Sequence, residues 1–82
     1  MTEKEFLERY DNNDDLSGVE IASLIYRFPR VKTIVGRSTE ICRERGVIIS
    51  AGGRCFLINW YEGLGCFKGD DFYCSPIEVK RI

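Results

Sequence analysis

Apolar positions near the start of the chain follow a helical spacing. Thr2 followed three residues later by Glu5 forms a capping-box pattern. The apolar side chains that follow lie on one side of a helix: Phe6, Leu7 and Tyr10. This pattern predicts a first helix over residues 3–11. The helix should end at residues 11–15, where short polar side chains compete with the helical backbone for hydrogen bonds.

A second capping box predicts another helix directly afterwards. Ser17 and Glu20 supply the box. The apolar side of this helix contains Ile21, Ala22, Leu24, Ile25 and Phe28. Pro29 disfavours helical geometry at the residue before it, so the helix should close at Phe28.

Residues 30–45 also have apolar positions at helical spacing. Placed 100° apart around a helix axis, one set falls within an arc of roughly 120°; it contains Val31, Ile34, Val35, Ser38, Ile41 and Cys42. The opposite side displays Lys32, Thr33, Gly36, Arg37, Glu40 and Arg43. This periodicity predicts a third helix, with Gly46 as its left-handed cap. Gly36 weakens that helix by about 1 kcal/mol relative to alanine.

The periodicity changes to that of strands after Gly46. Residues 47–50, a turn at residues 51–53 and residues 54–61 predict a β-hairpin with a glycine turn. Shorter strands are expected at residues 66–68, 72–74 and 77–80. The expected fold class is therefore α+β, with three helices, a hairpin and short extra strands.

Length and composition indicate one small domain over residues 1–82, because a second core would need roughly 50 more residues. The apolar fraction of 44% is too high for a disordered chain. The longest apolar run, residues 55–58, is far shorter than a membrane-spanning helix requires. The acidic beginning has no signal-peptide pattern, so a cytoplasmic location and no membrane partner are expected.

Several chemistries are disfavoured by the residue inventory. The chain has no histidine, which excludes histidine general bases, Ser-His and Cys-His nucleophile pairs, and mixed cysteine–histidine zinc sites. The four cysteines contain no Cys-x-x-Cys pair and are interpreted as small core hydrophobes: Cys42, Cys55, Cys66 and Cys74. We therefore expect a protein that is not an enzyme and that uses no metal and no cofactor.

The net charge of −1 conceals an uneven distribution. Residues 1–26 carry a net charge of −5, residues 27–54 carry +5, and residues 55–82 carry −1. Six of the seven cations in the middle segment are arginines, whose planar guanidinium suits phosphates and guanine edges. This asymmetry favours a nucleic acid as the partner, although a solvated basic face has the same composition.

The order of helix, helix, basic helix and glycine-tipped hairpin resembles a winged helix-turn-helix domain of the small prokaryotic and phage regulator type. Residues 39–57 are the most similar stretch, and the resemblance covers residues 17–60. It implies a transcriptional or phage-type regulator that binds duplex DNA with its third helix and wing, and self-association as a homodimer. The DNA-binding residues that it implies are Arg30, Lys32, Thr33, Arg37, Glu40, Arg43 and Arg54.

A protein-interaction module is the alternative hypothesis. Such a module, for example a small phage-encoded inhibitor, would bind a protein partner through one of two surfaces. One is the acidic first helix. The other is the aromatic C-terminal region, which contains Phe56, Trp60, Tyr61, Phe67, Phe72 and Tyr73.

Overall fold

The fold consists of two helices followed by an antiparallel sheet. The computed structural model describes residues 1–64 and 69–80. Its helices are α1 (Glu3–Asp11) and α2 (Gly18–Arg27). Its strands are β1 (Arg30–Ser38), β2 (Cys42–Ala51), β3 (Arg54–Gly63), β4 (Asp70–Asp71) and β5 (Ile77–Val79). The predicted three-helix winged helix-turn-helix is therefore wrong.

Both predicted N-terminal helices are confirmed. Each has the cap that its sequence predicts. The Thr2 side chain accepts a hydrogen bond from the Glu5 amide at 3.2 Å. At the second helix, Ser17 Oγ accepts from the Glu20 amide at 3.2 Å, and Glu20 Oε1 accepts from the Ser17 amide at 3.0 Å. These bonds satisfy backbone donors that have no partner inside a helix. α2 ends at Arg27, just before Phe28 and Pro29.

The predicted third helix does not exist, since residues 30–45 form β1, a loop at residues 39–41 and the first part of β2. Every residue of β1 is exposed, so the apolar stripe expected to face the core lies at the surface. Four β-branched residues favour an extended backbone here: Val31, Thr33, Ile34 and Val35. Pairing with β2 then supplies the backbone hydrogen bonds that a helix would have made within itself.

The predicted hairpin is confirmed as β2 and β3, but it forms the middle of the sheet rather than a projecting wing. Gly52 and Gly53 make its two-residue turn with φ angles of 58° and 76°. Gly46, predicted as a helix cap, lies within β2 opposite Asn59. A Cβ at Gly46 would be 2.8 Å from Asn59 Oδ1 and 3.4 Å from Ile34 Cβ, so the strands pack closely there.

The strands follow the order β1, β2, β3, with β4 and β5 both paired to the far side of β3. β5 corresponds to the strand predicted at residues 77–80. Residues 72–74 are not a strand; the strand nearest to them is the two-residue β4 at Asp70–Asp71, where a turn was expected. The strand predicted at residues 66–68 lies outside the described residues. The far edge of β3 is thus partly covered, whereas β1 ends the sheet.

The helices pack on one face of the sheet and form a two-layer core. Phe6 is fully buried, with its ring 4.8 Å from that of Phe56 and 6.0 Å from that of Phe28. The remaining core side chains come from α2 and from alternate positions of β2 and β3: Ile21, Leu24, Ile25, Val47, Ile49, Ala51, Ile58 and Trp60. No helix in residues 1–64 and 69–80 has the length and apolar character that crossing a membrane requires.

Candidate binding surface

The outer strand and the loop after it form what we call the β1 surface, residues 30–41. β1 is the terminal strand of the sheet, so one side of its backbone pairs with β2 and the other side pairs with no described strand. Its register with β2 shifts twice, between Arg30 and Lys32 and between Val35 and Ser38. The run Lys32–Val35 between those shifts is regular. An edge of this kind presents unpaired N–H and C=O groups to a further strand.

Apolar side chains are exposed along both faces of β1. The exposed fractions are 66% for Val35 and 39% for Ile34. Val35 is opposite Arg45, on the face that the helices partly cover, and Ile34 is opposite Gly46 on the other face. Val31 and the loop residue Ile41 are also about half exposed. The strand therefore offers apolar contact area on each side of its free edge.

Three exposed cations accompany these apolar residues: Arg30, Lys32 and Arg37. Residues 30–39 contain no acidic side chain. None of the three forms an ion pair with a described residue. Arg30 Nε donates a long hydrogen bond of 3.4 Å to the Ile25 carbonyl, which leaves its terminal nitrogens available. The strand part of the β1 surface is consequently cationic, and no described carboxylate forms an ion pair with its three cations.

The loop that joins β1 to β2 is held by Thr39. Its Oγ1 accepts hydrogen bonds from the amides of Ile41 at 3.3 Å and Cys42 at 3.1 Å, and its own amide donates to the Cys42 carbonyl at 2.7 Å. The Leu64 amide also donates to the Ile41 carbonyl at 2.9 Å. These bonds define the end of the β1 surface, where Glu40 is exposed.

No family model, curated protein or solved structure matches this chain. Among residues 1–64 and 69–80, no group of three or more cysteine, aspartate or glutamate side chains could hold a metal ion. Cys55 is buried as predicted, whereas Cys42 and Cys74 are half-buried, and all three are free thiols. Cys66 lies outside the described residues.

The structure brings most of the predicted DNA-binding residues together, but on a strand rather than a helix. Five lie on the β1 surface: Arg30, Lys32, Thr33, Arg37 and Glu40. Arg43 is the second residue of β2 and lies opposite Ser38 of β1. Its Nη1 is 4.0 Å from Glu62 Oε1. Because a strand directs successive side chains to opposite faces, these residues do not form the single face expected of a recognition helix.

Arg54 does not belong to this surface. Its guanidinium donates to Glu78 on β5 at 3.0 and 2.7 Å and also to Asp11 at the end of α1. These hydrogen bonds raise the pKa of Arg54 and lower the pKa of Glu78 and of Asp11. The expected position of Arg54 on a projecting wing is wrong, because its hairpin lies in the middle of the sheet. Its contact with DNA stays a prediction, which the use of its donors within the fold disfavours.

The two surfaces of the alternative hypothesis differ in how much of each is exposed. On α1, Glu3, Glu5 and Glu8 remain exposed. The C-terminal aromatic residues divide between the core and the surface, since Phe72 stacks on Trp60 at 5.5 Å whereas Tyr73 is 54% exposed. Phe67 lies outside the described residues.

The exposed apolar residues of β1 are ones that the helical spacing placed in the core. The dense run of β-branched residues at 31–35, interrupted by Lys32 and followed by Gly36, is the signal that could have indicated a strand. Even so, the free edge of that strand depends on the order of the whole sheet.

Proposed function

We propose that this protein is a non-enzymatic binding protein that adds an extended, acidic segment of a partner protein to the free edge of β1. The observation that carries the proposal is a nine-residue edge strand in which every residue is exposed. In strand addition, main-chain hydrogen bonds supply affinity and alternating side chains supply selectivity. The regular run Lys32–Val35 is the part of β1 best suited to such pairing.

The apolar residues of β1 favour a protein as the partner. Val35, Val31 and Ile34 have exposed fractions of 66%, 47% and 39%. A phosphate backbone gains little from aliphatic side chains, whereas a protein segment buries them on both faces of the extended sheet.

The charge of β1 favours an acidic segment over a second copy of the same strand. Pairing two copies would bring two sets of three cations onto neighbouring strands, with no acidic residue of either β1 to compensate them. Like charges on paired strands are destabilising, and cations on an edge strand discourage self-pairing. Glutamate or aspartate side chains on the added strand would instead pair with Arg30, Lys32 and Arg37.

Duplex DNA is the second candidate for the same surface, favoured by the three uncompensated cations. Contact with three phosphates would give a slope of log affinity against log salt of roughly −2.7. The residues that contact DNA would be Arg30, Lys32 and Arg37, and Arg54 would take no part.

Titrations with three probes distinguish these functions. The first probe is a peptide of about eight residues with alternating glutamate and valine, the second has lysine in place of glutamate, and the third is a DNA duplex of about 20 base pairs. Backbone amide exchange measured by NMR reports strand addition. The binding variant is Lys32→Glu, and the matched control is Lys4→Glu, which reverses an exposed cation on α1.

We expect the acidic peptide to slow the exchange of β1 amides, the lysine peptide to leave them unchanged, and Lys32→Glu to weaken the acidic peptide roughly tenfold. Lys4→Glu should bind like the unaltered chain. The DNA candidate would replace this proposal if two results were found together. The peptide would leave the β1 amides unprotected, and the duplex would bind in a salt-dependent way that Lys32→Glu weakens. If neither probe responds to Lys32→Glu, the β1 surface is not the binding site.

A further inference from the structure

The sheet has a second face, opposite the one on which α1 and α2 form the core. We call it the open face. It consists of Lys32 and Ile34 of β1, the even-numbered residues 44–50, the odd-numbered residues 55–61, and Ile77 and Val79 of β5. The solvated face of an antiparallel sheet usually carries polar residues at such positions. Here many of them are apolar.

Apolar side chains form a row across the strands of the open face. Ile48 is opposite Leu57, and Leu57 is opposite Ile77. Ile48 is already buried within the row and Leu57 is half-buried, whereas Ile77 is 52% exposed. On the adjacent β1, Ile34 is 39% exposed. Contiguous apolar surface of this kind marks a site of interaction with another protein.

Tyr73 adds a projecting ring to the open face, next to a groove. Its ring is 4.9 Å from that of Tyr61 and the residue is 54% exposed. A groove of about 230 Å³ lies between Tyr73 and Ile34, with Gly46 and Asn59 of the two central strands at its base. One face therefore contains both a projecting aromatic side chain and a groove with an apolar wall.

We propose that a second copy of this chain packs on the open face, which gives a homodimer of two facing sheets with the helices outside. A two-fold axis parallel to the strands lays β1 of each copy over β5 of the other. Tyr73, beyond β3, then lies over the Ile34 side of the groove in the other copy. A two-fold dimer requires a surface that complements itself, and this face meets that requirement.

Charges on the two sides of the open face complement one another in this arrangement. On the β1 side, Arg37 is exposed and its amide donates to Glu44 Oε2 at 3.4 Å. On the β4 side, the exposed Asp71 is opposite Tyr61, which is in turn opposite Glu44. The two-fold axis brings Arg37 of one copy towards Asp71 of the other, and it keeps the two Lys32 side chains at opposite edges.

The area of the open face is sufficient for a weak dimer. β2 and β3 are ten residues long. Because strands rise about 3.3 Å per residue and lie about 4.8 Å apart, a face of four strands covers roughly 600 Å². Two packed faces remove roughly 1,200 Å² from water, at the lower end of the range for specific interfaces. We expect a dissociation constant in the micromolar range.

Sedimentation equilibrium over a concentration series tests the dimer, and two neighbouring residues of β1 provide a matched pair of variants. Ile34 is on the open face, whereas Val35 is on the face of the helices and is 66% exposed. We expect the mass to rise from that of one chain to that of two. Ile34→Lys should weaken this association roughly tenfold or more, and Val35→Lys should leave it unchanged.

Two further measurements keep the test decisive if Ile34→Lys fails to fold, which its urea midpoint would show. Tyr73→Ser, at an exposed position outside the strands, should also weaken the dimer. In a mixture of isotope-labelled and unlabelled chains, nuclear Overhauser effects should connect the Tyr73 ring of one copy with the Ile34 methyl groups of the other.

Three outcomes would overturn the proposal. The first is the mass of a single chain at every concentration. The second is equal weakening by Ile34→Lys and Val35→Lys, which indicates pairing through the β1 edge. The third is a dimer that neither Ile34→Lys nor Tyr73→Ser weakens, which indicates another surface. The proposal is independent of strand addition, because the backbone edge of β1 stays open in both copies.

Discussion

Arg54 and Asp11 form a two-pronged ion pair across 43 residues of sequence, with Nη1 and Nη2 at 3.0 and 2.9 Å from the two carboxylate oxygens. The same guanidinium lies over the rings of Tyr10 and Phe56, at 5.7 and 5.4 Å from their centres. Together with its hydrogen bonds to Glu78, these contacts connect the start of β3 to α1 and β5. Arg54 is therefore a structural residue of this fold.

Replacing Arg54 should reduce stability without affecting the β1 surface. Arg54→Met removes the bonds to Asp11 and Glu78 and leaves their carboxylates close together, so we expect a lower urea midpoint. Arg37→Met is the matched control, because Arg37 is exposed and forms no ion pair with a described residue. Equal midpoints for the two variants would contradict a structural role for Arg54.

The same ion pairs predict a dependence of stability on acidity. Hydrogen bonds from Arg54 lower the pKa of Asp11 and of Glu78 below their ordinary values of 3.8 and 4.5. The unfolded chain then binds more protons than the native protein in acid. This stabilisation is therefore present above those ordinary values and lost as pH falls through the lowered ones.

Urea titrations at a series of pH values between roughly pH 5 and pH 3 measure this loss. The decline should be shallower in Arg54→Met, because the two carboxylates then lose the partner that lowers their pKa. Part of the decline should persist, since the pKa of Glu20 is lowered by the Ser17 amide and by Arg9. A variant with the same pH profile as the unaltered chain would refute the assignment to Arg54.

Truncating Phe56 should remove the centre of the core. Its side chain is fully buried, with its ring 4.8 Å from Phe6 and 4.9 Å from Tyr10. We expect Phe56→Ala to lower the free energy of unfolding by about 3–5 kcal/mol. Val19→Ala, at a position that is 81% exposed, should change it by less than about 0.5 kcal/mol. Chemical denaturation of both variants provides the comparison, and similar losses would show that the helices do not pack as described.

The two glycines of the β2–β3 turn should differ in their tolerance of a side chain. Both have positive φ angles, so alanine at either position costs about 1–2 kcal/mol of backbone strain. A Cβ at Gly52 would also lie 2.6 Å from Leu7 Cδ1, whereas a Cβ at Gly53 meets no described atom within 4 Å. Thermal unfolding should therefore show a larger loss for Gly52→Ala than for Gly53→Ala. The reverse order would indicate that Leu7 does not pack against the turn.

The sequence by itself determined the two helices and the central hairpin. Thr2, Ser17 and Glu20 cap helices through residues three positions away, and Gly52 and Gly53 specify a turn through their own φ angles. These signals act over a few residues, and no distant part of the chain is needed to satisfy them.

Only the tertiary structure decided that residues 30–45 are strands and which of their cations remain free. The spacing of Val31, Ile34 and Val35 is compatible with a helix, but pairing with β2 supplies the backbone hydrogen bonds in the folded chain. Likewise, Arg37 and Arg54 look equivalent in the sequence. Arg54 is occupied because Asp11 and Glu78 approach it from 43 and 24 positions away, and separations of that size are set by packing, which local sequence does not encode.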